Sequence, residues 1–279
     1  MSSTKFLDSM NEISSLGGNF MQVFISNPRG SSSLNMEKYN ALAPTIKDYC
    51  KRNDFKIVIH SPYYINLAKH NIEYQIEHLK KELRIAHNIG AIGCVIHVGK
   101  QGDMETHVAT ANMLTNMKIL AKYIKESKLK SKLILETAAG QGKEMFVTTD
   151  NSLGNFASFY GMFTEDEMKY IKICVDTCHI FVAGIDIRER KQVDRLFSQL
   201  QLFDLLQHVV VIHFNDANKE YAKRVDRHAS IGQGFIGFSG LSQVLKKAFE
   251  YKIPCVLETP GDAYLEEVPW MREMVSKLI

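Results

Sequence analysis

Two histidines and two carboxylates lie close together in one short stretch of the chain. His213 and Asp216 stand in the run His-Phe-Asn-Asp, and Asp226 and His228 follow soon after it. A glycine-rich run, 232–237, comes next. Imidazoles and carboxylates together are typical ligands of zinc or manganese, whereas calcium and magnesium prefer oxygen atoms alone. This stretch therefore indicates a transition-metal site.

The same arrangement recurs along the chain, where short apolar runs end in a residue that could bind a metal. Each run is continuous in its hydrophobicity and rich in β-branched residues, which is typical of a parallel strand buried on both faces. A further apolar run at 20–25 brings the predicted strands to seven. The candidate ligands at or just after the strand ends are His60, His97, Glu136, Asp176, His179, His213 and Glu258.

Segments of helical periodicity separate the predicted strands, at 71–89, 106–127, 190–207 and 239–251. This alternation, in a chain of 279 residues, predicts an α/β fold of the TIM (β/α)8 barrel type better than an open sheet. The carboxyl ends of the strands meet at one face of such a barrel, where active sites lie. We therefore expect a single domain, residues 1–279, with the candidate ligands in one pocket.

Composition permits a polyanionic partner without requiring one, because the formal net charge is only +3. The five cysteines form no Cys-x-x-Cys pair and indicate buried thiols of an intracellular protein. No apolar run is long enough to span a membrane, and the N terminus lacks the apolar core of a signal peptide. We expect a soluble intracellular protein with no membrane partner. The cytoplasm is the favoured location, and the nucleus is the alternative.

Each candidate ligand has a structural interpretation when it is taken alone, since a single histidine after a strand is usually a hydrogen-bonded core residue. If the whole set lies on one face, several carboxylates are buried there, and each would cost several kcal/mol if no positive charge or hydrogen bond compensated it. The set therefore favours metal binding. The other histidines fall in helices or loops and are interpreted as structural or solvated: His70, His78, His87, His107 and His208.

Several stretches resemble the endonuclease IV family of apurinic/apyrimidinic (AP) endonucleases, and the similarity runs from about residue 20 to the C terminus. The most specific are Asp176-Thr-Cys-His179 and Asp226-Arg-His228, in this order. The resemblance implies a monomeric hydrolase that cleaves the phosphodiester bond 5′ to abasic sites in double-stranded DNA, leaves a 3′-hydroxyl and trims 3′ ends in base excision repair. The matching stretches are 60–66, 95–99, 135–137, 174–179, 213–216, 225–232 and 257–259.

The resemblance also implies a trinuclear zinc site, with manganese as an alternative at one or more positions. A bridging water that loses its proton at neutral pH would be the nucleophile. Glu258 and Glu136 are the predicted catalytic residues. The implied ligands form three groups, one for each of three ions per chain: His60, His97 and Glu136; Glu136, Asp176, His213 and Glu258; and His179, Asp226 and His228.

Three DNA contacts are implied as well. Tyr63 and Arg29 match loop side chains that enter the double helix when the abasic sugar leaves the base stack. Arg227 could contact a phosphate. The structural alternatives stay open, because loop aromatics often pack and exposed arginines are usually solvated. The lysine-rich stretch 122–132 is interpreted as a solvated helix end rather than a DNA groove.

The sequence departs from the family pattern in two places. Family members open with a strand before the first helix, whereas this sequence runs directly into the predicted helix. The first barrel strand is therefore expected to be missing or replaced, which would expose the edges of its neighbours. In the glycine-rich run, Phe235 stands where the family tends to carry a polar residue.

Two other classes of protein compete with the nuclease. A metal-dependent sugar isomerase or epimerase on the same barrel would use Glu136, Asp176, His213 and Glu258 for one divalent ion, and it gives the remaining candidate ligands no role. A DNA-binding or scaffold protein derived from an inactive enzyme is expected to have lost at least one ligand, and none is missing here.

Overall fold

Parallel strands alternate with helices through both of the units into which the chain divides. The computed structural model describes residues 3–30 and 34–278. The first unit is Met1–Leu135 with Phe163–Lys172, and the second is Glu136–Met162 with Ile173–Ile279.

The elements of the N-terminal half alternate strictly after an opening helix. They are α1 Ser3–Ser15, β1 Phe20–Val23, α2 Met36–Arg52, β2 Lys56–His60, α3 Glu73–Ile89, β3 Gly93–Ile96, α4 Thr106–Glu126 and β4 Lys132–Glu136. The remaining elements are α5 Gly154–Tyr160, α6 Glu165–Met168, β5 Ile171–Asp176, α7 Thr177–Ala183, α8 Arg190–Leu202, β6 Val209–His213, β7 Asp216–Ala217, β8 His228–Ala229, α9 Gly237–Glu250, β9 Cys255–Val256 and α10 Tyr264–Ser276.

Strand pairing within each unit is parallel, apart from one short antiparallel pair. In the first unit β1 pairs with β2, β2 with β3 and β3 with β4. In the second, β5 pairs with β6 and β6 with β9, while β7 and β8 are antiparallel. Among the described residues, seven strands thus take part in parallel pairing, the number predicted. In the described part of the chain a helix comes first, as expected.

The central strands are buried on both faces, which is why their sequences read as continuous apolar runs rather than alternating ones. Ile57, Val58 and Ile59 of β2 have no exposed surface, and the same holds for 133–135 of β4. The predicted helices are present, but α8 ends at Leu202 instead of 207. The apolar periodicity of the sequence continues beyond this point, but the helix stops because Asp204 has a φ of 55°, a left-handed conformation that cannot continue a helix.

The helices differ in how their ends are fixed. Gly90 ends α3 with a φ of 79°, a left-handed cap that glycine adopts without strain. The Asp176 side chain begins α7 by accepting a hydrogen bond from the backbone of His179. No helix within residues 3–30 and 34–278 is long and apolar enough to cross a membrane.

Gly93 permits a close approach of the backbones of β3 and β4. A Cβ at Gly93 would collide with the backbone of Lys132, including its carbonyl oxygen. Because these strands are paired, neither backbone can move without breaking the sheet. We predict that Gly93→Ala lowers the free energy of unfolding by about 1–3 kcal/mol, measured by urea denaturation.

The matched control is Gly154→Ala. A Cβ there would meet only the Ser152 hydroxyl, at 3.2 Å, and alanine is favoured at the start of a helix. Its unfolding midpoint should equal or exceed that of the unchanged protein. Equal midpoints for both variants would contradict the proposed collision.

Candidate metal centre

Two histidines lie side by side at the strand ends of the first unit. His60 is the last residue of β2, and His97 follows β3. Their ring centroids are 5.1 Å apart and the ring planes are 84° to each other. His60 Nδ1 donates a hydrogen bond to the Ser61 carbonyl oxygen over 2.7 Å. This bond fixes the ring and leaves Nε2 as the nitrogen that could bind a metal.

The buried carboxylate of Glu82 binds the two chain segments that follow β1 and β2. Glu82 in α3 has no exposed surface. It accepts hydrogen bonds from the Ser61 hydroxyl at 2.6 Å and from the Ser26 hydroxyl at 3.2 Å. His78 Nε2 lies 3.3 Å from the same carboxylate. His78 is therefore a buried partner of Glu82, which agrees with its structural interpretation.

Four ligand-type side chains meet in the second unit, at the ends of β4, β5 and β6 and just after β9. His213 is at their centre, because its Nδ1 lies 3.0 Å from Glu136 Oε1, 3.0 Å from Glu258 Oε2 and 3.7 Å from Asp176 Oδ2. Glu136, Asp176 and His213 are almost fully buried. One ligand atom from each of the four lies within 4.8 Å of the others. We refer to these residues as the four-ligand group.

A second cluster, the three-ligand group, consists of His179, Asp226 and His228. Asp226 Oδ1 lies 3.3 Å from Nε2 of both histidines. His179 Nδ1 donates to the Thr137 carbonyl over 2.9 Å, and His228 Nδ1 donates to the Glu258 carbonyl over 3.2 Å. Each backbone carbonyl fixes one tautomer and turns Nε2 towards the cluster, as occurs around bound zinc.

The charges of the two groups depend on one another. Burial raises the pKa of the Asp176 carboxyl. Burial alone would lower the pKa of His228, but its hydrogen bond to Asp226 and the nearby Asp176 and Glu258 carboxylates outweigh it and raise the pKa to about 9. Burial alone would also lower the pKa values of His179 and His213, but both are raised well above the usual value. Nearby carboxylates raise the pKa of His179. Cys174 and then nearby carboxylates raise the pKa of His213. The carboxylates of the two groups therefore place several negative charges close together, and protonated imidazoles or a bound cation must balance them.

The donor set fits transition-metal ions. Imidazole nitrogens and carboxylate oxygens converge in each group, and this combination suits zinc better than magnesium or calcium. Cys174 also lies within ligand distance of Glu136 and His213. It is fully buried.

Asn215 is a functional residue that the sequence analysis missed. Its side-chain nitrogen donates to Asp176 Oδ2 over 2.7 Å and to Glu258 Oε2 over 3.2 Å. Its side-chain oxygen accepts from the Glu258 backbone over 2.8 Å. Asn215 thus fixes two members of the four-ligand group. The only signal was its place between His213 and Asp216.

Asp216 lies outside both groups, although the sequence analysis began with it as one of the metal-type carboxylates. It is fully buried and accepts hydrogen bonds from the backbone nitrogens of Gly232, Gly234, Ile236 and Gly237. Its role is to shape the glycine-rich run. Phe235, in that run, is 51% exposed.

The predicted DNA contacts all lie at the surface. Tyr63 is 54% exposed, and its ring packs 5.7 Å from that of His60 and 5.6 Å from that of His97. Its backbone nitrogen donates to the Pro28 carbonyl over 3.0 Å, so the loops of Tyr63 and Arg29 are adjacent. Arg227 is exposed and donates to the Asp226 carbonyl over 2.6 Å.

The lysine-rich helix end carries ion pairs with nearby carboxylates. Lys125 lies 2.7 Å from Asp166, and Lys122 lies 3.8 Å from Glu126. These contacts agree with a solvated helix face whose charge is partly balanced within the protein.

Comparison with known proteins gives matches over nearly the whole chain. The model of the Xylose isomerase-like TIM barrel family matches residues 10–274. An endonuclease 4 of Acanthamoeba polyphaga mimivirus is 31% identical over 257 residues, 89% of this chain and 80% of the relative. Endonuclease IV from Thermus thermophilus superposes with a TM-score of 0.71 at 24% identity, over 97% of this chain and 94% of that one. A D-tagatose 3-epimerase-like protein gives a TM-score of 0.72 at 15% identity, over 97% and 93%.

The family match over residues 10–274, together with the superposition on endonuclease IV, shows that the fold is a TIM barrel, as predicted. Fold and site together define an α/β barrel protein with a candidate metal centre. The chain belongs to the Xylose isomerase-like TIM barrel family and, within it, to the endonuclease IV family.

The protonation of His228 predicts how stability depends on pH in the absence of metal. Because folding raises its pKa from 6.5 to about 9, this group stabilises the folded state fully below pH 6.5. That contribution is lost as pH rises through about 9. We predict that chelator-treated protein loses unfolding free energy between about pH 6 and pH 10, and that His228→Gln loses less. Parallel urea titrations test this, and identical pH slopes for both proteins would contradict it.

Proposed function

We propose that this protein is a zinc-dependent DNA repair endonuclease. It hydrolyses the phosphodiester bond 5′ to an abasic site in duplex DNA, leaves a 3′-hydroxyl and also trims 3′ ends. The observation that carries the proposal is the three-ligand group beside a complete four-ligand group, which exceeds what a single divalent ion needs. The endonuclease names of the relatives support the reaction class.

Zinc is the proposed metal, held by the nine ligands that the sequence predicts, with manganese as an alternative occupant. Bound zinc lowers the pKa of a water molecule and neutralises charge on a phosphate group. The match over residues 10–274 supports our view that the chain acts as one barrel domain. We propose duplex DNA as the partner and a monomer as the active form.

The protein's own groups have distinct roles in this reaction. Glu258 is the accessible member of the four-ligand group, since its side chain is 18% exposed while that of His213 is fully buried. It is therefore the carboxylate best placed to orient the attacking water and accept its proton. Asn215 holds this carboxylate and that of Asp176. Glu136 is buried and serves to hold metal and fix His213.

The alternative is a sugar isomerase or epimerase that uses the four-ligand group alone. That group is complete in the structure, and the D-tagatose 3-epimerase-like protein has the same fold. The three-ligand group would then have no function. It would also be an unexplained cost, because it holds the half-buried Asp226 carboxylate against two largely buried histidines.

The direct test is incision of a labelled duplex that contains one tetrahydrofuran abasic analogue. We expect cleavage 5′ to the analogue that disappears after metal removal and returns with zinc. Glu258→Gln should lower the rate about 100-fold or more, because it removes a proton acceptor. Glu250→Gln, an exposed change on α9, is the matched control and should cleave normally. Folded, zinc-loaded protein that leaves the duplex intact would favour the isomerase.

Tyr63 provides a separate test of DNA recognition. If its exposed ring stacks on DNA at the lesion, Tyr63→Ala should raise KM for the abasic duplex about tenfold, because one stacking contact is worth about 1–3 kcal/mol. Zinc content should stay unchanged. Tyr74→Ala is the control, since Tyr74 is a similarly exposed tyrosine on α3 (57%). Equal KM values for both variants would show that Tyr63 only packs against the histidines.

A further inference from the structure

One buried carboxylate near the candidate metal centre belongs to neither ligand group. Glu267 in α10 is 6% exposed. It accepts a hydrogen bond from the Ile231 backbone nitrogen at 2.7 Å and a short one from the Thr259 hydroxyl. Within residues 3–30 and 34–278, its hydrogen-bond partners are these two neutral donors. A buried carboxylate is costly unless hydrogen bonds satisfy it, so these contacts hold the side chain in one place.

The two donors lie on the two segments that meet at the three-ligand group. Ile231 follows His228 closely, and Thr259 follows Glu258 directly. His228 Nδ1 donates to the Glu258 carbonyl over 3.2 Å, so the same two segments are in contact at the ligands. Glu267 therefore joins them a second time, from the side of α10.

The glycine-rich run beyond Ile231 is already fixed by Asp216, which binds the backbone nitrogens of Gly232 and Gly237 among others. Asp216 therefore holds the backbone from Gly232 onward. Glu267 holds the residue just before it, Ile231, which lies three residues after His228. Gly232 has a φ of 79°, and a Cβ there would collide with the Phe238 ring. The backbone of the turn after His228 can therefore adopt few conformations while both carboxylates are bound to it.

We propose that Glu267 is a positioning residue for the three-ligand group. Its carboxylate sets the placement of His228 relative to Glu258 and thereby determines how tightly the ion of this group is retained. The inference rests on the proposed function, since it requires that His179, Asp226 and His228 bind zinc. Outer contacts of this kind typically change metal affinity about 10–100-fold.

The test is the rate of zinc release from the zinc-loaded protein into excess chromogenic chelator. In Glu267→Ala, one ion per chain should leave about 10–100-fold faster, while the others leave at their normal rates. Glu267→Gln should behave nearly normally, because its amide oxygen can accept from Ile231 and its nitrogen can donate to the Thr259 hydroxyl. Glu266→Gln is the matched control, since Glu266 is the exposed neighbour on the same helix and should leave release unchanged.

Thr259→Val removes only the hydroxyl contact to Glu267. It replaces Glu267→Ala in the test if that variant does not fold. It should accelerate release of the same single ion to a smaller degree. Unchanged release from a folded variant, or equal acceleration of every ion, would overturn the inference, since the second result indicates general loosening only.

The two proposals fail in different ways. Unmodified protein that holds at most one zinc ion and does not cut abasic duplex would overturn the proposed function and the inference with it. Protein that holds zinc, incises the duplex and is indifferent to Glu267→Ala would overturn the inference alone.

Discussion

Carboxylates that are removed from water must be given a partner, and the second unit removes several of them within a small volume. Glu136, Asp176, Asp216 and Glu267 are all buried. An unpaired buried carboxylate costs more free energy than most single interactions supply, so each one dictates what its surroundings contain. The chain satisfies them in two ways. Asp216 and Glu267 are satisfied by backbone and hydroxyl donors, whereas Glu136 and Asp176 face imidazoles and share a common centre.

This division separates the residues that hold the site from those that could bind metal. Backbone carbonyls of Thr137 and Glu258 accept from the Nδ1 atoms of His179 and His228, so the opposite nitrogens point to Asp226. Asn215 spans Asp176 and Glu258. The strands supply fixed starting points for these contacts, because His213, Glu136 and Asp176 are each the last residue of a strand. Rigid strand ends and satisfied outer contacts are what a preorganised metal site requires.

Much of this architecture could be predicted from sequence, for definite physical reasons. Strands buried on both faces are uniformly apolar, so β2 to β6 were visible as hydrophobic runs, and the residue ending each run marked the functional edge. Contacts between distant segments had no such signal. Nothing local distinguishes Glu267 from the exposed Glu266, and Asp216 has the same chemistry as a ligand until its backbone donors are known. The end of α8 was misjudged because the apolar periodicity continues past Asp204, whose left-handed backbone stops the helix.

The central claim is that this barrel binds a cluster of zinc ions rather than one. The most direct measurement is the number of zinc ions per chain in native mass spectra of the zinc-loaded protein. Our account predicts three ions on each chain, with two remaining after His228→Ala. A single ion per chain, unaffected by His228→Ala, would contradict it and would assign the barrel to the sugar isomerases and epimerases.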